Sequence, residues 1–278
     1  MLCSMKELLK DAEEHKRAVG AFSVYSMEML KGIVQAAEEM ETPIILQIAE
    51  SRFPYAPFEI MAPAMRKIAE LSKVKMAVHL DHGLHIETIQ KALDYGFTSV
   101  MLDASSHPLA ENIQMTQQVI EMAKTYGASV ETEIGCVGGN EGMGNVKDNY
   151  THPEDVTALL NAADVDALAI AIGNAHGNYK KAPDLQFALL EQIHKEHEVP
   201  LVLHGGSGIS YQDFRRTIDR GIRKINIATA NLNALTEAMQ ESLNENTGSY
   251  FKISEKMTQK VCECTKEHIY VFNNQGEL

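Results

Sequence analysis

Three histidines of this 278-residue chain stand where a metal ion could be held. His82 falls in His79-Leu80-Asp81-His82-Gly83, His176 in Gly173-Asn174-Ala175-His176-Gly177, and His204 at the head of His204-Gly205-Gly206-Ser207-Gly208. Each string follows a short apolar run. Three imidazoles with one open position form the donor set of a catalytic zinc ion, which polarises a carbonyl or activates a water. Nitrogen ligands of this borderline-soft kind favour zinc over magnesium. His79 reads as a supporting or core histidine. The other seven, His15, His85, His107, His152, His194, His197 and His268, fall on predicted helices or loops and read as surface residues.

Carboxylates accompany the imidazoles. Asp81, next to His82, can shuttle a proton to or from a polarised oxygen. Glu131 and Glu133 are two residues apart on one predicted strand, so both point the same way, and Glu133 is a candidate transient metal ligand. The glycine-rich stretch from Gly135 to Gly144 carries Glu141, a candidate base on a closing loop. Gly205-Gly206-Ser207-Gly208 and Asn226-Ile227-Ala228-Thr229 are suited to hold a phosphate through backbone amides.

Those residues need a scaffold that gathers them. Eight short apolar runs, at 21–26, 43–50, 75–82, 99–105, 128–135, 167–173, 200–206 and 224–229, alternate with amphipathic stretches at 27–41, 58–72, 85–95, 109–126, 153–163, 185–197 and 211–220. Gly96, Gly127 and Gly221 sit where helices should end before the next strand. Eight βα units with no linker predict one domain over 1–278, a (β/α)₈ TIM barrel, with an open doubly wound sheet as the alternative. Two more helices are expected at 231–244 and 254–268, the last projecting as an extra C-terminal helix toward a partner subunit. In such a barrel the reactive groups lie at the C-terminal ends of the strands. Strands three, five, six, seven and eight all finish in such groups.

Composition narrows the rest. With 38 acidic residues against 25 lysines and arginines, the formal charge of −13 disfavours nucleic acid and anionic membranes. No apolar stretch reaches the roughly 18 residues of a membrane span, and the first residues lack a secretory signal. Cys3, Cys136, Cys262 and Cys264 contain no C-x-x-C pair, so a reduced, cytoplasmic setting is expected.

Taken together, HLDHG at 79–83, GFTSVMLD at 96–103, ETEIGCVGG at 131–139, LAIAIGNAHG at 168–177, PLVLHGGSG at 200–208 and KINIAT at 224–229 make the chain resemble the class II, metal-dependent fructose- and tagatose-bisphosphate aldolases from end to end. The resemblance implies a ketose-bisphosphate aldolase that reversibly cleaves a ketose 1,6-bisphosphate, or a related ketose 1-phosphate, to dihydroxyacetone phosphate and an aldehyde. It implies one catalytic Zn²⁺ on His82, His176 and His204, a monovalent cation, Glu133 as an alternative metal contact, and Asp81 as proton donor to the aldehyde oxygen. Glu141 would move the carbon-bound proton. Gly177, Gly205, Gly206, Ser207 and Asn226, Ile227, Ala228 and Thr229 would hold dihydroxyacetone phosphate. The family also suggests a homodimer or homotetramer.

The physical logic is that breaking a carbon–carbon bond beta to a ketone develops an enediolate, whose charge zinc can stabilise. No strand ends in an isolated lysine suited to an imine. The sequence departs from the fructose-bisphosphate pattern at Ala228, Leu232 and Ser23, which leaves Arg52 as candidate partner of a distal phosphate. Two rival readings are a zinc hydrolase on the same barrel and a non-catalytic sugar-phosphate binding protein.

Overall fold

The computed structural model describes residues 1–138, 150–179 and 181–274. Eight parallel strands, β1 (Val19–Ser23), β2 (Ile44–Ala49), β3 (Met76–Gly83), β4 (Ser99–Leu102), β5 (Ser129–Ile134), β6 (Ala167–Ile170), β7 (Leu201–Leu203) and β8 (Ile222–Ile227), pair in sequence order. Pairing of Ala21 on β1 with Asn226 on β8 closes the barrel, which excludes the open sheet. Gly96, Gly127 and Gly221 adopt the expected positive φ of 76°, 64° and 104°.

Strand alternation decides which side chains enter the lumen. Val19, Ala21, Ile45, Ala77, Ala167, Ala169 and Val202 form an inner cluster, whereas Phe22, Leu46, Val78, Leu168 and Leu203, of opposite parity, join the larger core beneath the helices. The inner residues are mostly small because the lumen floor is filled from outside. Helix α1 (Met5–Glu14), which the strand–helix alternation does not foresee, inserts Met5, Leu8, Leu9 and Ala12 into the inner cluster. Burying each of the larger three is worth about 1.5–3 kcal/mol. Its signals are present in the sequence: an i, i+3, i+4, i+7 apolar stripe, and Ser4 three residues before Glu7, whose backbone N–H donates to Ser4 Oγ at 3.2 Å.

Helices α2 (Met27–Glu39), α3 (Phe58–Leu71), α4 (Ile86–Asp94), α5 (Leu109–Lys124), α6 (Pro153–Ala162), α7 (Phe187–Glu196), α8 (Tyr211–Ile218) and α9 (Thr229–Asn244) follow strands one to eight in turn. The final helix, α10 (Tyr250–Phe272), corrects an expectation. Instead of projecting, it packs on α2 and α9 and buries Val261, Cys262, Ile269 and Phe272. Gly32 permits this contact, since a Cβ there would lie 2.6 Å from Thr258 O. His268 is likewise buried rather than on the surface, donating from Nδ1 to Cys264 O at 2.7 Å. No helix among the described residues is long and apolar enough to cross a membrane.

Candidate active site

Period-two alternation along β3 would send Asp81 and His82 to opposite faces. The structure brings both to the mouth. The register against β4 shifts between Leu80 and Gly83, and His82 has a left-handed φ of 44°. A bulge of this kind re-aims a side chain, and a non-glycine residue held there costs about 1–3 kcal/mol, stored where the chemistry is. His204 follows directly on β7. His176 lies in the loop after β6, where its backbone N–H donates to Gly138 O at 2.8 Å and so ties that loop to the one leaving β5.

The three rings meet edge to face. Their centroids are 4.7 Å apart for His82 and His204, 4.8 Å for His82 and His176, and 5.8 Å for His176 and His204. One nitrogen from each lies within 4.8 Å of the others. The outward-facing atoms are committed. His82 Nδ1 donates to Asp103 Oδ2 at 2.8 Å, and His204 Nε2 donates to Glu131 Oε1 at 2.9 Å. What remains is His82 Nε2 and His204 Nδ1, 3.0 Å apart. Two ligands of one tetrahedral zinc ion at about 2.05 Å would have nitrogens roughly 3.3 Å apart, so a small adjustment admits the ion. Carboxylates behind ligating imidazoles are the usual means of fixing their tautomers.

Electrostatics point the same way. Asp81, Asp103, Glu131 and Glu133 are all buried, against one buried lysine among the described residues, Lys224. Burial opposes a charge on His82, but Asp81, Asp103 and Glu133 outweigh it and hold its pKa up at about 10. Burial, with the charge of Asp103 added, pushes Glu133 up to about 8. Despite its own burial, Asp103 is held below the usual carboxylate range by His82. Burial, then the charges of His82 and Lys224, push His204 well below the ordinary imidazole value. Glu133 Oε1 accepts from Val137 N at 3.0 Å, whereas its buried Oε2 has no hydrogen-bond partner and stands 3.5 Å from His204 Nδ1. A divalent cation among these groups would supply both the missing positive charge and the missing partner. His82, Asp103 and Glu133 also form a ligand-capable trio.

Beside the imidazoles runs a cleft lined by Gln47, His176, Gly177, Gly205, Ser207, Asn226, Ala228 and Thr229. Helix α9 begins there with Ala228 as a cap that offers no side-chain hydrogen bond. Its first amides are thus available to an anion, apart from Ala230 N, which donates to Ser207 Oγ at 2.9 Å. Gly205 has φ 63°, and a Cβ on it would lie 2.2 Å from Ala175 O, so only glycine fits this wall. Asp81 faces the same mouth, Oδ1 accepting from Asn226 Nδ2 and Oδ2 from Gln47 Nε2, both at 3.0 Å.

The expected site residues are not all in the cleft. Ile227 and Gly206 do not line it: Gly206 N donates to Asn226 O at 3.1 Å, and Ile227's side chain belongs to the outer core. Arg52 stands on a 3₁₀ turn (Glu50–Arg52) after β2 and does not line the cleft. Glu141 lies outside the described residues. Conversely, Asp103, Gln47 and Lys224 join the site without having been singled out. Asp103 follows the end of β4 as Asp81 approaches the end of β3, so the strand-end test that finds Asp81 would also find it. Lys224 lies mid-strand on β8, which starts two residues before the expected 224–229, and its partner is Glu131.

Comparison with known proteins decides what this arrangement belongs to. The family described as "Fructose-bisphosphate aldolase class-II" matches residues 3–277. The chain belongs to the class II fructose-bisphosphate aldolase family. As a member of it, the chain is an aldehyde-lyase, and the hydrolase and binding-protein readings are not favoured. It is 41% identical to a fructose-bisphosphate aldolase of Geobacillus stearothermophilus over 256 residues, 90% of this chain and 88% of that one. It is 40% identical to a probable fructose-bisphosphate aldolase of Bacillus subtilis, over 90% and 89% of the two chains. Among solved structures, the YdjI aldolase of Escherichia coli K12 superposes with a TM-score of 0.89 at 32% identity, covering 99% of each chain. A putative fructose-1,6-bisphosphate aldolase of Coccidioides immitis gives 0.89 at 26% identity, over 98% of this chain and 96% of that one. This class II aldolase therefore has the metal-dependent family's barrel and a histidine trio able to hold the metal.

Proposed function

We propose that this aldolase reversibly cleaves a ketose 1,6-bisphosphate of the fructose or tagatose type, or a related ketose 1-phosphate, into dihydroxyacetone phosphate and an aldehyde. The observation that carries this reading is the convergence of His82, His176 and His204 beside Asp81 and beside the glycine-walled cleft at the start of α9. The relatives' names, which are of fructose-bisphosphate aldolases, support the substrate class.

His82, His176 and His204 would hold zinc, with Glu133 as an alternative contact. When bound, the ion supplies a Lewis acid that stabilises negative charge developing on the substrate's oxygens. Gly177, Gly205, Ser207 and the first amides of α9 bind the phosphate and orient the ketone toward the imidazoles. Asp81 takes the proton of the hydroxyl beta to the ketone as the carbon–carbon bond breaks, and returns it to the aldehyde oxygen in condensation. Two amide donors, from Gln47 and Asn226, pin both carboxyl oxygens in place for that transfer. Glu141 is assigned the carbon-bound proton by family resemblance.

The test is release of dihydroxyacetone phosphate from ketose bisphosphates and 1-phosphates, before and after chelation and after return of zinc. Chelation should abolish cleavage, and Asp81→Ala should keep the metal while losing turnover by at least a hundredfold. Cleavage that survives exhaustive chelation, or wild-type turnover in Asp81→Ala, overturns the reading.

A further inference from the structure

The lumen holds a buried cation that the aldol chemistry leaves unused. Lys224 on β8 is fully buried, and its Nζ stands 2.8 Å from Oε2 of Glu131 on β5, itself fully buried. The other oxygen of that carboxylate, Oε1, accepts from His204 Nε2 at 2.9 Å. A neutral imidazole carries one proton, so donating it from Nε2 leaves the Nδ1 lone pair free, and Nδ1 is the atom that faces His82 Nε2. The state of His204 thus depends on where Glu131 points.

Among the described residues, little else holds that carboxylate. Its nearest alternative partner is His79 Nε2, 3.7 Å from Oε2 and beyond hydrogen-bonding distance, while His79 Nδ1 faces Ser99 Oγ at 2.5 Å. The inner cluster lower in the barrel is apolar, with Ala21, Ala77, Ala167, Ala169 and Val202. A Glu side chain with three rotatable bonds, in such surroundings, keeps one orientation only if its second oxygen is anchored.

We propose that Lys224 is a positioning residue for the metal centre: by anchoring Glu131 Oε2 it keeps Oε1 on His204 Nε2, so that His204 presents Nδ1 to the ion. The lysine, on β8, thereby acts on a ligand that follows β7 through a side chain of β5. This inference rests on the assignment of His82, His176 and His204 as metal ligands. It differs from an imine role, because Lys224 sits one inward position below Asn226, closed off from the mouth and ion-paired.

The experiment measures zinc(II) binding alone, by competition with a chromogenic chelator, together with the visible absorption of the cobalt(II) form. The full chain is compared with Lys224→Met, Glu131→Gln, the double variant and His176→Ala, with thermal midpoints recorded for each. Lys224→Met should weaken zinc binding by about 10–100-fold and alter the cobalt bands. The double variant should lose no more than the more damaging single change, because both act through one link. Zinc affinity within twofold of wild type with unchanged cobalt bands, whatever the thermal midpoint, overturns the proposal, as do fully additive losses. Should either single change leave an unpaired buried charge that prevents folding, the double variant, which removes both charges, decides against wild type by the same two readouts. His176→Ala separates the two levels of inference. If it leaves zinc binding intact, the ligand assignment fails; if it weakens binding while Lys224→Met does not, only the role of Lys224 fails.

Discussion

Replacing Asp103 by asparagine tests the site at a residue that touches neither substrate nor metal in the proposed arrangement. Asp103 Oδ2 accepts from His82 Nδ1 at 2.8 Å, and Oδ1 accepts from Ser105 N at 3.2 Å and Ser105 Oγ at 2.7 Å. An amide has a single acceptor oxygen. The backbone N–H of Ser105 can only donate, so that oxygen is drawn to Ser105 and the amide nitrogen turns to His82. Nδ1 must then accept, the ring proton moves to Nε2, and the atom offered to zinc is blocked. Loss of such a supporting carboxylate costs about 10–100-fold in metal affinity, or roughly 1.4–2.8 kcal/mol. A second effect runs the other way. Asp103 helps hold His82 at about 10, so in the wild type a proton competes with zinc at neutral pH, and the variant relaxes that competition. The deficit in Asp103→Asn should therefore grow as pH rises from 6 to 9. Zinc titration against a chromogenic chelator across that range measures it. An affinity ratio within twofold of unity throughout, or one that shrinks with pH, refutes the reasoning.

Metal uptake at pH 7 should release about one proton from His82, which is cationic below about 10 in the ion-free chain, with a further contribution from Glu133, raised to about 8. Calorimetry in two buffers of different ionisation enthalpy reads the number, and no proton release counts against the assignment. Gly205→Ala forces a Cβ to 2.2 Å from Ala175 O at φ 63°, so cleavage should fall by at least tenfold and stability by about 1–3 kcal/mol, read from progress curves and thermal midpoints. Burial lowers the pKa of His268 below its ordinary value of 6.5, so as pH falls the unfolded chain takes up a proton there before the folded one does. Its contribution is therefore present above pH 6.5 and lost as pH falls through that value toward the folded pKa. Thermal midpoints should fall more steeply from pH 7 to 5 in the wild type than in His268→Gln. Equal slopes would refute this.

What the amino-acid sequence determined by itself was the repeating alternation of buried strand and amphipathic helix and the reactive strings at the strand ends, because both are local: periodicity and chain punctuation need only neighbouring residues. From those, eight strands and the three histidines are legible, as is the proximity of Asp81 to His82. The direction of the His82 ring was not, since it depends on a bulge against β4 and a left-handed φ that alternation contradicts. Nor were the Asp103–His82 and Lys224–Glu131–His204 links legible. Each joins residues from different strands, and only barrel closure and register bring them within hydrogen-bonding reach. The packing of α10 was settled in the same way, by the bare surface that Gly32 offers to Thr258. Residue type supplied the chemistry available to the site, while the pairing of β1 with β8 and the burial that follows supplied its protonation states and its geometry.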